Sequence, residues 1–249
     1  MRAAVFMPAA ALAALAALPA AAVETTARVS AASEQISNGS PDWREVTAAV
    51  QLRQGPRQVF EVSGADVHRF GLHDSQFAAS YSLPLSNAFV ATVDANASAT
   101  HRVLARHAAG AALQYEAAPG WLLHGGARTS KYDSGTVNAF QVAVEHYFSA
   151  FSVQLGWRPT RAFGETAHGA ELRAHYYYGE RNAIGLIAAG GQEAASVPGG
   201  VVLTDVRSVA LTGRHWFDAR WAVTYGASRA RQGSLYTRKG LNAGLQYVF

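Results

Sequence analysis

Cysteine is absent from the 249 residues, so disulfides, thiol nucleophiles and thiolate metal sites are excluded. Long apolar runs are absent beyond residue 22. No later segment approaches the roughly 18 continuous apolar residues that a spanning helix requires. Any insertion of the mature chain into a bilayer must therefore use strands closed into a barrel. Concentrated charge is lacking as well: the formal net charge is +4, and the basic residues are nearly all arginines standing singly along the chain. A nucleic-acid surface requires a clustered basic patch, so no nucleic-acid partner is expected.

Residues 1–22 read as an export signal, with Arg2 as the positive end, the apolar run Ala3–Leu18, and small residues at Pro19-Ala20-Ala21-Ala22. Cleavage is expected near Ala22. Removing 22 of the 249 residues leaves 227 for one domain, residues 23–249. That remainder is rich in Gly, Tyr and Phe and has polar and apolar residues closely interleaved, consistent with a mean hydropathy of 0.00.

The interleaving has a period of two. The last nine residues place Leu241, Ala243, Leu245, Tyr247 and Phe249 on one face, and Asn242, Gly244 and Gln246 on the other. Similar alternation recurs in segments of about 10–13 residues separated by turn signals, the pattern of a transmembrane β-barrel. The fold class predicted is all-β, an antiparallel up-and-down barrel of about 14 strands. Thr25–Ser33 is the faintest, and Ala183–Gln192 alternates poorly. Without the first strand the count falls to twelve and a second strand must also be misread, because single-chain bacterial barrels hold an even number.

Connections at 53–57, 86–87, 118–120, 149–150, 179–182 and 218–220 are tight, whereas 34–42, 131–136 and 193–203 read as longer. Tight periplasmic turns with longer outer loops fit this division, which puts Phe249 on the periplasmic side. Aromatics crowd the tight ends, as expected of an interfacial girdle. Tyr247 and Phe249 look like the C-terminal signal by which barrel-assembly machinery receives such proteins. Outer-membrane lipid and lipopolysaccharide are the expected surroundings, and polysaccharide is a candidate cargo.

If the apolar face meets lipid, the other face lines the lumen. It should carry Glu45, Glu61, Asp94, Arg106, Arg128, Glu145, Arg158, Glu171, Arg173 and Arg214. Charges of both signs in a low-dielectric interior need partners, so Glu–Arg pairs between neighbouring strands are predicted. These pairs either crosslink a closed barrel or line a watery path. Fourteen strands lie between the eight of a filled barrel and the sixteen to eighteen of an open channel. Channel, closed structural barrel and rim-located enzyme thus stand as three readings. The third rests on His68, His73, Asp74, Ser75, His101 and Ser130 near the outer rim, whose residue types suit a nucleophile and base. No motif fixes their geometry, so no catalytic residue is assigned. No cofactor is expected, and no metal-ligand spacing is evident.

Two further stretches carry a family resemblance. Asp42-Trp43-Arg44-Glu45-Val46 opens a strand, and Arg69-Phe70-Gly71-Leu72-His73-Asp74 follows about 25 residues later. Their spacing, together with the terminal aromatic strand, resembles the YaiO-type outer-membrane β-barrel family. The resemblance implies an outer-membrane barrel, often regarded as a channel and sometimes associated with export of surface glycans. Physically, Trp43 is expected in the membrane interface, Gly71 in a tight turn, and Asp74 on that turn's amides.

Overall fold

A computed structural model describes residues 23–197 and 200–249. The expected export signal lies outside the described residues. The strands are β1 (Glu24–Ile36), β2 (Trp43–Arg53), β3 (Val59–Arg69), β4 (Leu72–Pro84), β5 (Phe89–Ser98), β6 (His107–Ala118) and β7 (Trp121–Tyr132). They continue with β8 (Gly135–Phe148), β9 (Phe151–Ala162), β10 (Glu165–Tyr178), β11 (Asn182–Val197), β12 (Gly200–Trp216), β13 (Trp221–Gln232) and β14 (Tyr236–Val248). Each pairs antiparallel with its sequence neighbours, and β1 pairs with β14 from Thr26↔Val248 to Ile36↔Arg238. Fourteen strands therefore close one barrel. The faint first strand is a full partner of 13 residues.

Alternation fixes which face is which. Phe77, Leu155 and Leu241, at 63%, 62% and 70% exposure, lie on the outer face with Val29, Val46, Phe140 and Leu186. Apolar side chains standing outward on neighbouring strands form the lipid-facing band of a membrane barrel. Among the described residues no helix is long and apolar enough to cross a membrane; the strands do the crossing.

The outer connections differ from expectation. Residues 193–203 are mostly strand: β11 and β12 stay in register from Ala183↔Arg214 to Val197↔Gly200. The β-branched and aliphatic run Val201, Val202 and Leu203 favours an extended ladder over a loop. Three other outer connections are two residues long: Asp133-Ser134, where 131–136 read as longer, and the turns Phe70-Gly71 (φ 53° and 76°) and Phe163-Gly164 (φ 55° and 88°). Positive φ at both central positions is the turn whose twist matches that of paired strands. The longer outer connections are 37–42 and 99–106.

The poor alternation of β11 also has a structural reason. At Gly191 (φ 151°) a Cβ would run into the His168 carbonyl of β10. Only glycine fits where the two backbones approach so closely.

The candidate conduit and its outer mouth

Register places Glu45, Glu61, Asp94, Arg128, Glu145, Arg158, Glu171, Arg173 and Arg214 on the face opposite the apolar band. Arg106 differs: it precedes β6, within the outer connection. There its amide donates to the Lys131 carbonyl at 2.8 Å, and its own carbonyl accepts from Ser98 N at 3.0 Å. The turn that fastens this connection begins one residue before the ladder does.

Charges of opposite sign pair on the lumen face, but two of the arginine–carboxylate pairs span an intervening strand where pairs between neighbouring strands were expected. Arg28 of β1 reaches over β2 to Glu61 of β3, and Arg128 of β7 reaches over β6 to Asp94 of β5. Gly110 makes room for the second span, because a Cβ there would lie 2.6 Å from Asp94 Oδ1. Arg173 meets Glu171 at 2.6 Å, and His124 meets Glu145 at 3.0 Å. From the periplasmic turn, Arg57 extends to Glu116 at 2.9 Å. Arg158 and Arg214 have no ion-pair partner among the described residues. Arg181, Arg28 and Arg53 lie within electrostatic reach of Arg214, and of these Arg28 and Arg53 are balanced by Glu61 and Glu24.

Water reaches most of these groups. The side chains of Arg128 and Asp94 are each 36% exposed, whereas His124 and Glu145 are the most sheltered pair at 18% and 13%. A cavity of about 310 Å³ touches Arg158, Glu171, Arg173, Gln141 and Gln154. A second, of about 290 Å³, touches Arg57, Thr92, Gln114 and His124 and shares Gln141 with the first.

The two sequence motifs meet at the outer mouth. Trp43 has the parity of Glu45, and it faces the lumen rather than the lipid interface. Its ring lies 4.9 Å from the Arg69 guanidinium and 4.4 Å from that of Arg238, with Phe70 edge-on at 5.0 Å. Arginine over an indole face is a favourable cation–π contact. Glu45 holds Arg69 at 3.4 Å, and Glu34 holds Arg238 at 3.0 Å. A cavity of about 300 Å³ opens beside Trp43, Glu34, Glu45, Arg69 and Arg238. The indole Nε1 of Trp43 and Nε of Arg238 are buried without a hydrogen-bond partner among the described residues.

Asp74 also departs from expectation. It does not cap its own turn; fully buried, it accepts from the amides of Arg102, Val103 and Leu104 at 3.1, 2.7 and 2.9 Å. The carboxylate thus fastens the 99–106 connection to the inner side of β4. Sequence parity could have signalled an inward Asp74, but not the amides it meets.

The rim residues do not assemble a nucleophile. His68 and His73 are directly opposite on the outer face, and the Asp66 carboxylate bridges them at 3.2 and 2.6 Å. Their ligand atoms and that of Asp66 lie within 4.8 Å of one another, a grouping the linear spacing did not reveal. His101 instead contacts Asp133 at 2.9 Å. Ser75 and Ser130 make no side-chain hydrogen bond to a histidine among the described residues.

The family description of the YaiO membrane β-barrel domain matches residues 24–195. The chain belongs to that family. A search of curated proteins finds no match. Among solved structures, this YaiO barrel is similar to the outer membrane protein Omp33 of Acinetobacter baumannii, with 13% identity and TM-score 0.56, over 91% of this chain and 99% of that one. It is similar to OpdQ of Pseudomonas aeruginosa at 7% identity and TM-score 0.53, over 91% and 98%. The CymD monoaromatic hydrocarbon channel shares 10% identity at TM-score 0.58, over 91% and 87%. At such identities the likeness establishes the fold, an outer-membrane β-barrel like those of porins and channels.

Proposed function

We propose that this YaiO barrel is an outer-membrane conduit for polar solutes, with surface glycan as a candidate cargo. The observation that carries the reading is the water access of its lumen charges, above all Arg128 and Asp94 at 36% exposure each. A lumen sealed by charge pairs would desolvate them at a cost of several kcal/mol per ion. The indole of Trp43 between Arg69 and Arg238 gives the outer mouth an aromatic face and charged hydrogen-bond donors. Those features suit a sugar ring with hydroxyl or carboxylate substituents.

The reading includes export by residues 1–22 with cleavage near Ala22, residence in the outer membrane, and delivery by assembly machinery that recognises Tyr247 and Phe249. The terminal rings support it: Tyr247 lies 4.9 Å from Phe249 and 4.6 Å from Trp221, at the periplasmic girdle. Conductance of the refolded protein in a planar bilayer is the decisive measurement. Stepwise, salt-dependent conductance with a preference for anions is expected, given the unpaired Arg158 and Arg214. Absence of conductance overturns the conduit reading.

A closed barrel is the second reading, favoured by the fastening of 99–106 to Asp74. It predicts that current appears only when that fastening is cut, in Asp74→Ala.

A further inference from the structure

At the outer edge of the apolar band, the lipid-facing side of β12, β13 and β14 carries cations in a repulsive arrangement. Arg207 is directly opposite Arg231, and Arg229 is directly opposite Lys239. All four are exposed. Directly opposite positions in an antiparallel pair bring Cβ atoms within about 5.5 Å, and like charges there destabilise the ladder. None of the four forms an ion pair among the described residues. Arg231 donates only to the Gly233 carbonyl, at 3.1 Å. The nearest carboxylate on this face is Asp205, one outward position from Arg207. Just below the cations stand Val209, Leu211 and Leu241, the last 70% exposed.

Uncompensated cations above exposed aliphatic side chains match a ligand that is anionic at its head and apolar in its tails. We propose that this face of β12–β14 is a binding site for the phosphorylated glycolipid of the outer leaflet, its phosphates held by Arg207, Arg229, Arg231 and Lys239. The acyl chains lie against Val209, Leu211 and Leu241. Arginine gives planar, bidentate donors to phosphate, and an anion between each like-charge pair turns their repulsion into shared attraction. The site rests on the outer-membrane reading but not on an open lumen.

The test uses the full mature protein refolded in detergent, with heat-modifiable migration on gels showing separately that the barrel has formed. Binding of bisphosphorylated lipid A is measured by native mass spectrometry, beside a dephosphorylated lipid A and inorganic phosphate alone. The intact protein should retain bisphosphorylated lipid A at least tenfold better than the dephosphorylated form. The double variant Arg207→Gln/Arg229→Gln should lose that preference. A charge-matched control on the far side of the barrel, Lys131→Gln/Arg161→Gln, should keep it within about twofold. Without glycolipid, the patch variant should melt at the same or a higher temperature than the parent, because one cation of each opposed pair is gone. Equal loss in both double variants, or no phosphate preference in the parent, overturns the site. Preference for free phosphate over the lipid also overturns it as a glycolipid site. Failure to form the heat-modifiable barrel would count against the underlying fold placement instead.

Discussion

Two consecutive residues of β14 point in opposite directions and meet opposite company. Arg238 faces the lumen and lies 3.0 Å from Glu34. Lys239 faces outward, directly opposite Arg229. The same contrast holds across the barrel: the inner face pairs charges of unlike sign, while the outer edge of β12–β14 sets like against like. An inner surface that has only water for company gains by pairing most of its charge, Arg158 and Arg214 excepted. An outer surface bordering a charged leaflet can leave its charge to be balanced by something else.

That contrast can be broken in graded steps. The largest effect is expected at the inner rim, where Asp74→Ala removes the acceptor of three amides. Urea unfolding in detergent should show a loss of about 2 kcal/mol. Limited proteolysis should then cut within 99–106. Next comes the sheltered lumen pair: Glu145→Ala leaves His124 without its carboxylate and should cost roughly 1–2 kcal/mol in the same measurement. Arg128→Ala, in the better-hydrated pair, should cost less than about 1 kcal/mol. Its effect should appear in reversal potentials, which shift toward cations as Asp94 is left bare. Outside, the sign should invert. Lys239→Gln relieves its opposition to Arg229 and should raise stability by a few tenths of a kcal/mol in glycolipid-free detergent.

The smallest test lies in the periplasmic turn. The amides of Arg220 and Trp221, each 2.7 Å from Asp218 Oδ1, hold that carboxyl below its ordinary value of 3.8. A depressed folded pKa gives stability that is complete above 3.8 and lost as the pH falls through the folded value. Asp218→Asn should therefore flatten the acid limb of the melting temperature, by lowering stability at neutral pH slightly toward the value the parent reaches in acid.

Most of the architecture was legible in the period of two. It located all fourteen strands; nine of the ten charges read as inward fall at strand positions opposite the apolar band, and Arg106 lies one residue before β6. The parity of Trp43 with Glu45 also pointed inward, although an aromatic at a strand end equally suits an interface. Arg238 could not be foreseen beside Trp43, because only closure of β14 onto β1 brings the chain ends together. The outer cations illustrate the same limit. Arg207, Arg229, Arg231 and Lys239 read as single charges along the chain, and only the ladder gathers them into a patch. Asp66, His68 and His73 converge for a related reason, through the two-residue turn at Phe70-Gly71. Residues 193–203 misled in the other direction: glycine, serine and proline suggested a loop where paired strands continue to Val197 and from Gly200.

The two-residue outer turns have a consequence for how such a barrel could change its preferences. A pore roofed by long loops can exchange specificity by replacing the roof. This barrel is largely wall, and the side chains that meet a passing solute stand on strands fixed by neighbours on both sides. Positions held that rigidly keep their geometry, so discrimination should shift one side chain at a time, as in Trp43→Tyr or Arg158→Gln. Laboratory selection for altered uptake should accordingly return point substitutions on inward strand positions, with few insertions at the rim.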